Sequence, residues 1–144
     1  MDYQNELDHI LDCTSQNGKK RISVCYRCNC RTRTYDLGHS RDHAHTKERR
    51  ICLSVPPKSK KSLFTALHEI GHIEGYRADY TSGVTRAEAE HNATQWAIRE
   101  MRENLHLSVP RKITNAYKSY VKEKIGRALR RGLKKVPTIL NSYR

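Results

Sequence analysis

A chain of 144 residues with net charge +13 and 36% hydrophobic residues has room for one domain with a modest core. No stretch approaches the apolar length of a membrane span, and Met1-Asp2-Tyr3-Gln4-Asn5-Glu6 carries no signal-peptide pattern, so the expected setting is the cytoplasm. Charge is unevenly spread: residues 1–18 sum to −4, 19–50 to +7, 51–109 to zero and 110–144 to +10.

The first expected element is a short helix over about residues 2–13. Between about residues 20 and 56 the chain reads as a small sheet, with Ile22-Ser23-Val24-Cys25-Tyr26 and Arg50-Ile51-Cys52-Leu53-Ser54-Val55 as strands. The second of these is the candidate edge strand that holds an extended substrate through its backbone. Cys25-x-x-Cys28-x-Cys30, with His39, His43, His45 and Cys52 behind it, has the residue types of a structural zinc site. The competing reading makes Cys25 and Cys52 small buried hydrophobes and puts His39, His43 and His45 in a turn-rich loop, Gly38 to Arg50, that edges a cleft. Disulfides are not expected in a reducing cytosol.

Pro56-Pro57 breaks the chain, and three helices are expected beyond it. Leu63, Phe64, Leu67 and Ile70 recur at the 3.6 period of a core-facing helix that runs into His68-Glu69-Ile70-Gly71-His72, an H-E-x-x-H motif. Two histidines four apart project from one face and can bind one zinc ion, with Glu69 beside it as general base for a water activated by that ion. Gly71 weakens the helix by about 1 kcal/mol relative to Ala, which makes sense where a neighbouring backbone or substrate comes close.

A catalytic zinc takes three protein ligands and leaves one position open. The metzincin continuation H-E-x-x-H-x-x-G-x-x-H finds Gly75 but has Ala78 in its last place. The other template puts a glutamate on the next helix. Thr85-Arg86-Ala87-Glu88 reads as a capping box that opens this helix and occupies Glu88. Glu90 shares a side with Ala93, Thr94 and Ala97, whose small side chains let two helices pack closely enough for a carboxylate to reach the ion. Glu90 is therefore the candidate third ligand.

The motif His68-Glu69-Ile70-Gly71-His72, followed eighteen residues later by Glu90-x-x-Ala93-x-x-Trp96-Ala97-Ile98, resembles the ImmA/IrrE family of zinc metallopeptidases over about residues 50–104. The resemblance implies zinc ligands His68, His72 and Glu90, Glu69 as catalytic acid/base, and a protein substrate such as a DNA-binding repressor. It also implies an α+β minimal zincin fold, a small sheet packed on the active-site helix and the second ligand helix. Thr94 stands where that family often has Asn or Asp, and the family's usual Leu-Met-Pro ending is absent.

From Arg111 to Val136 the residues Ile113, Ala116, Tyr117, Tyr120, Val121, Ile125, Leu129 and Leu133 recur at helical spacing, with an end expected near Val136-Pro137 and weak points at Gly126 and Gly132. This basic amphipathic helix forms a C-terminal extension, 110–144, beyond a metallopeptidase domain, 1–109. Lys118, Lys122, Arg130, Arg131, Lys134 and Lys135 are its candidate contacts to nucleic acid, with an anionic membrane surface as the other polyanion. Tyr76, Tyr80 and His91 are candidate oxyanion donors. Three functional readings follow: an intracellular zinc endopeptidase, a nucleic-acid-associated protease of the SprT-like kind, and a non-catalytic protein that binds through its basic surface. Tyr76 stands where the SprT-like pattern H-E-x-x-H-x-x-x-H has its third histidine.

Overall fold

The computed structural model describes residues 1–27, 42–75, 86–132 and 136–143. Asp2 starts the first helix, α1 (Tyr3–Thr14): its carboxylate accepts from the Gln4 and Asn5 amides at 2.9 and 3.3 Å. Leu7, Ile10 and Leu11 form its buried stripe. Three strands follow, β1 (Ser23–Tyr26), β2 (His43–His45) and β3 (Arg50–Leu53), in the spatial order β1-β3-β2. β1 runs parallel to β3 with Cys25 opposite Cys52, and β2 runs antiparallel to β3 with His43 opposite Cys52.

Alternation along the strands sends Val24, Ala44, Ile51 and Leu53 into the main core and leaves Ser23, Cys25, Arg50, Cys52, His43 and His45 on the other face. Two expectations are corrected here. β3 is paired on both sides, so it is the central strand and offers no edge to a substrate; its run Ile51-Cys52-Leu53 is buried throughout, as a central strand requires. His43 and His45 lie on a strand, not in a loop. Cys28, Cys30 and His39 lie outside the described residues.

The second helix, α2 (Lys60–Glu74), is capped by reciprocal serines: Ser59 Oγ accepts from the Ser62 amide and Ser62 Oγ from the Ser59 amide. It packs between α1 and the sheet on one side and α3 (Arg86–Arg99) on the other, and every residue from Leu63 to His72 except Thr65 is buried. α3 runs on into a π-helical turn, Glu100–Asn104, and His106 at φ 55° ends it. α4 (Arg111–Arg130) stops at Gly132, whose φ of 100° is the left-handed conformation that closes helices, earlier than the expected break at Val136-Pro137. A 3-10 helix, Thr138–Tyr143, follows.

The change of charge at residue 110 is not a gap in packing. Ile113 joins the same core as Phe64 and Trp96, while Val121, Ile125, Val136, Leu140 and Tyr143 close a second cluster around Ala87 of α3. One connection beside the sheet is polar. Arg49 donates to Glu74 at 2.5 Å and to the Lys20 and Thr14 carbonyls at 2.7 and 3.2 Å, and Lys19 reaches Glu74 at 3.1 Å. No helix among the described residues is long and apolar enough to cross a membrane.

The α2–α3 contact is made by backbone. A Cβ placed on Gly71 lies 2.6 Å from the Ala93 carbonyl oxygen and 2.9 Å from its Cα, closer than real Cβ atoms come. Replacing Gly71 with Ala gains about 1 kcal/mol of helix propensity but forces the helices apart at a cost of about 1–3 kcal/mol. We expect G71A to melt several degrees lower than wild type in a thermal unfolding experiment; a higher melting temperature would show that the two backbones do not touch.

Candidate metal centre

The α2 spacing aims His68 and His72 to one side, and the glycine contact brings α3 close enough for Glu90 to reach them. Glu90 Oε2 lies 3.2 Å from His68 Nε2 and 3.3 Å from His72 Nε2. The imidazole centroids are 4.8 Å apart with their planes at 88°. Glu69 stands on the same rim: His68, Glu69 and His72 each bring one ligand atom within 4.8 Å of the others, and Glu69 Oε2 is 3.7 Å from His68 Nδ1. All four side chains are buried, between 4% and 9% exposed, in a segment where most charged groups would face water.

Two of these atoms are orphans. His68 Nε2 and Glu90 Oε2 are buried, and neither makes a hydrogen bond of good geometry among the described residues, although Glu90 Oε2 is within ion-pair distance of both imidazoles. Such atoms are costly unless something else satisfies them. Around a tetrahedral zinc with bonds of about 2.0–2.2 Å, neighbouring ligand atoms stand about 3.3 Å apart. The spacings of 3.2 and 3.3 Å match that edge, and two imidazoles with one carboxylate form a donor set that zinc accepts. The residues present therefore fit the ion.

Electrostatics couple the ligands. Burial alone lowers the His68 pKa, but the Glu69 and Glu90 carboxylates outweigh it and push it up to about 9. Burial likewise opposes ionisation of Glu90, and His68 and His72 overcome it, holding its carboxyl well below the usual carboxylate range. Without an ion, a proton on His68 balances the buried Glu90 charge.

One residue of the apolar stripe, Tyr117, belongs to the site's wall, and a second, Tyr120, feels the site's charge. The Tyr117 ring of α4 lies over His68, centroids 4.6 Å apart and planes at 38°, and meets Phe64 at 5.1 Å. Burial first, then the Glu69 and Glu90 charges, raise its phenol pKa against the opposing hydrogen bond to Thr65, so it stays neutral. Tyr120, half-buried one turn on, has its pKa raised by burial and then by Glu90. Their spacing beside Ile113 and Val121 was the available signal: aromatics three apart on the buried side of a helix that follows the ligand helix.

Other candidates fall elsewhere. His91 Nδ1 is 2.5 Å from the Tyr143 hydroxyl, so the C-terminal 3-10 helix holds it away from an oxyanion role. Thr94 donates to the Glu90 carbonyl at 2.8 Å, serving the helix backbone and not the carboxylate. Tyr76, Tyr80 and the capping Thr85 lie outside the described residues. Lys118, Lys122 and Arg130 are exposed on α4 and Arg131 is exposed just after it, and Lys134 and Lys135 lie outside the described residues. A groove of about 390 Å³ along α1 and β1, lined by Gln4, Asp8, Arg21 and Tyr26 among others, contains none of the four candidate ligands. Compared with protein-family models, curated proteins and solved structures, the chain gives no match.

The raised His68 pKa sets a pH dependence with a definite sign. An ion must displace the His68 proton, so zinc affinity rises about tenfold per pH unit up to about pH 9 and then levels off. In the metal-free protein the same proton stabilises the fold fully below about pH 6.5, and that contribution is lost as pH rises through about 9. Zinc competition titrations across this range test the first statement and thermal melts the second. Glu90→Ala should abolish stoichiometric zinc and flatten the melt profile; a variant that still binds one zinc at wild-type affinity would remove Glu90 from the site.

Proposed function

We propose that this chain is a cytoplasmic zinc-dependent endopeptidase with a minimal zincin site: His68, His72 and Glu90 hold the ion and Glu69 is the catalytic acid/base. The reading rests on one observation above others, the convergence of two orphaned, buried ligand atoms at the spacing of a tetrahedral zinc. The likeness of the motifs to the ImmA/IrrE family points the same way, and a protein substrate, such as a DNA-binding regulator, is the corresponding target.

Zinc, when bound, lowers the pKa of a water to about 7 and polarises a peptide carbonyl. Glu69 follows His68 on the same helix, and with Glu90 taken as the third ligand its carboxylate, beside the two imidazoles, is placed to take the proton from the attacking water and return it to the departing amine. Tyr117 covers His68, keeps water off that side, and presents a phenol that remains protonated at neutral pH. A substrate strand needs an edge to pair with, and among the described residues β2, packed near α2, is an edge that β3 leaves open. It replaces β3 in that role.

Glu69→Gln keeps the shape of the side chain and removes its basicity. Zinc content should stay at one ion in this centre, while cleavage falls by about 10²-fold or more. The comparison is made by mapping new N-termini in a cell lysate treated with zinc-loaded wild type or with the variant. New termini with wild type alone are expected; equal patterns for the two would end the peptidase reading.

We further propose that the outward face of α4 holds the protein on nucleic acid. Lys118 and Lys122 are one turn apart and exposed, with Arg130 and Arg131 exposed further along, while Ile113, Val121 and Ile125 are the buried residues of the same helix. Replacing Lys118 and Lys122 with Ala should weaken binding to duplex DNA of any sequence and reduce the slope of log affinity against log salt by about 2. An unchanged slope would assign these cations to solvent alone.

A further inference from the structure

We propose a second metal site, on the outer face of the sheet, in which His43, His45 and Cys52 bind a zinc ion. One ligand atom from each lies within 4.8 Å of the other two. The sheet itself creates this cluster. His43 and His45 are two apart on β2 and so project from the same face. Cys52 is directly opposite His43 in the antiparallel register, which places its side chain on that face as well. Their backbones are thus fixed by the ladder, and the ligand geometry does not depend on a loop.

The chemistry of the three donors matches the ion. The two imidazole Nε2 atoms share a hydrogen bond of 3.1 Å, with ring planes at 79°; an ion would replace that hydrogen bond, and the spacing is close to the edge of about 3.3 Å between neighbouring nitrogens on zinc. Cys52 is 1% exposed and both histidines are half-buried, so the sulfur is shielded while the imidazoles keep a path to solvent. Two nitrogens and one sulfur form a borderline-soft set suited to zinc, and binding releases the thiol proton to solvent. Cys25, opposite Cys52 in the parallel register, extends the row of donors across the same face. A bound ion would clamp β2, only three residues long, onto β3. This role is independent of whether the first centre cleaves peptides.

Cobalt makes the site visible. A thiolate-to-cobalt charge-transfer band in the near ultraviolet reports sulfur ligation, and the centre formed by His68, His72 and Glu90 contains no sulfur. Full-length wild type loaded with Co²⁺ should bind two ions per chain and show the band. His43→Ala/His45→Ala, made on half-buried positions so that folding survives, should bind one ion and lose the band. Glu90→Ala should bind one ion and keep it. Cys52→Ala should match the histidine variant, with circular dichroism confirming that the buried substitution has not unfolded the chain. Absence of the band in wild type, or its persistence when both histidines are gone, overturns the proposal.

Discussion

The approach of α2 to α3 at Gly71 and Ala93 is the constraint on which the rest depends. A glutamate side chain is short, and its carboxylate reaches the two histidines only because nothing larger than hydrogen separates the helices. The buried alanines of α3 serve the same end, since each larger side chain would push the helix outward. Gly71 therefore spends helix propensity inside the most buried element of the molecule to bring Glu90 within reach. The sheet, α1 and α4 then pack around a pair of helices whose separation is already fixed.

Helical parts of this architecture were largely legible. Apolar residues at the helical period locate α1, α2 and α4 to within a few residues at most boundaries, and the small residues at 93, 94 and 97 correctly signal close packing. The four site residues converge because helix geometry is local and predictable: a spacing of four gives the histidines, and the next helix gives the carboxylate. Strand order was less accessible. Ile51-Cys52-Leu53 reads as a strand, but nothing within it says whether one partner or two will cover it, because pairing is decided by segments distant in sequence. His43-Ala44-His45 lacks the β-branched residues that mark strands and became one through its antiparallel ladder with β3. Tyr117 was hidden in its own regularity. On a helical wheel it is one more member of an apolar stripe, and only the placement of that stripe against α2 turns it into a wall over His68.

α4 shows how one helix reconciles two environments. Its inward side combines aliphatic residues for packing with tyrosines whose hydroxyls tolerate neighbouring carboxylates. Exposed on the same helix are Lys118, Lys122 and Arg130. The neutral segment that carries the histidines and the basic extension are continuous in space, so the cationic surface and the buried centre belong to one packed body.

The Arg49 and Lys19 contacts to Glu74 carry a consequence for the helix that bears the histidines. Glu74 occupies the last turn of α2, where the aligned peptide dipoles present their negative end and disfavour a carboxylate. Arg49 from the β2–β3 turn and Lys19 from the approach to β1 reverse that local balance. The sheet thus supplies the terminal cation that α2 lacks in Lys or Arg, and the two are held in register by charge as well as by apolar contact. Because Lys19 is about half exposed and Arg49 is largely covered, rising ionic strength weakens the first tether well before the second.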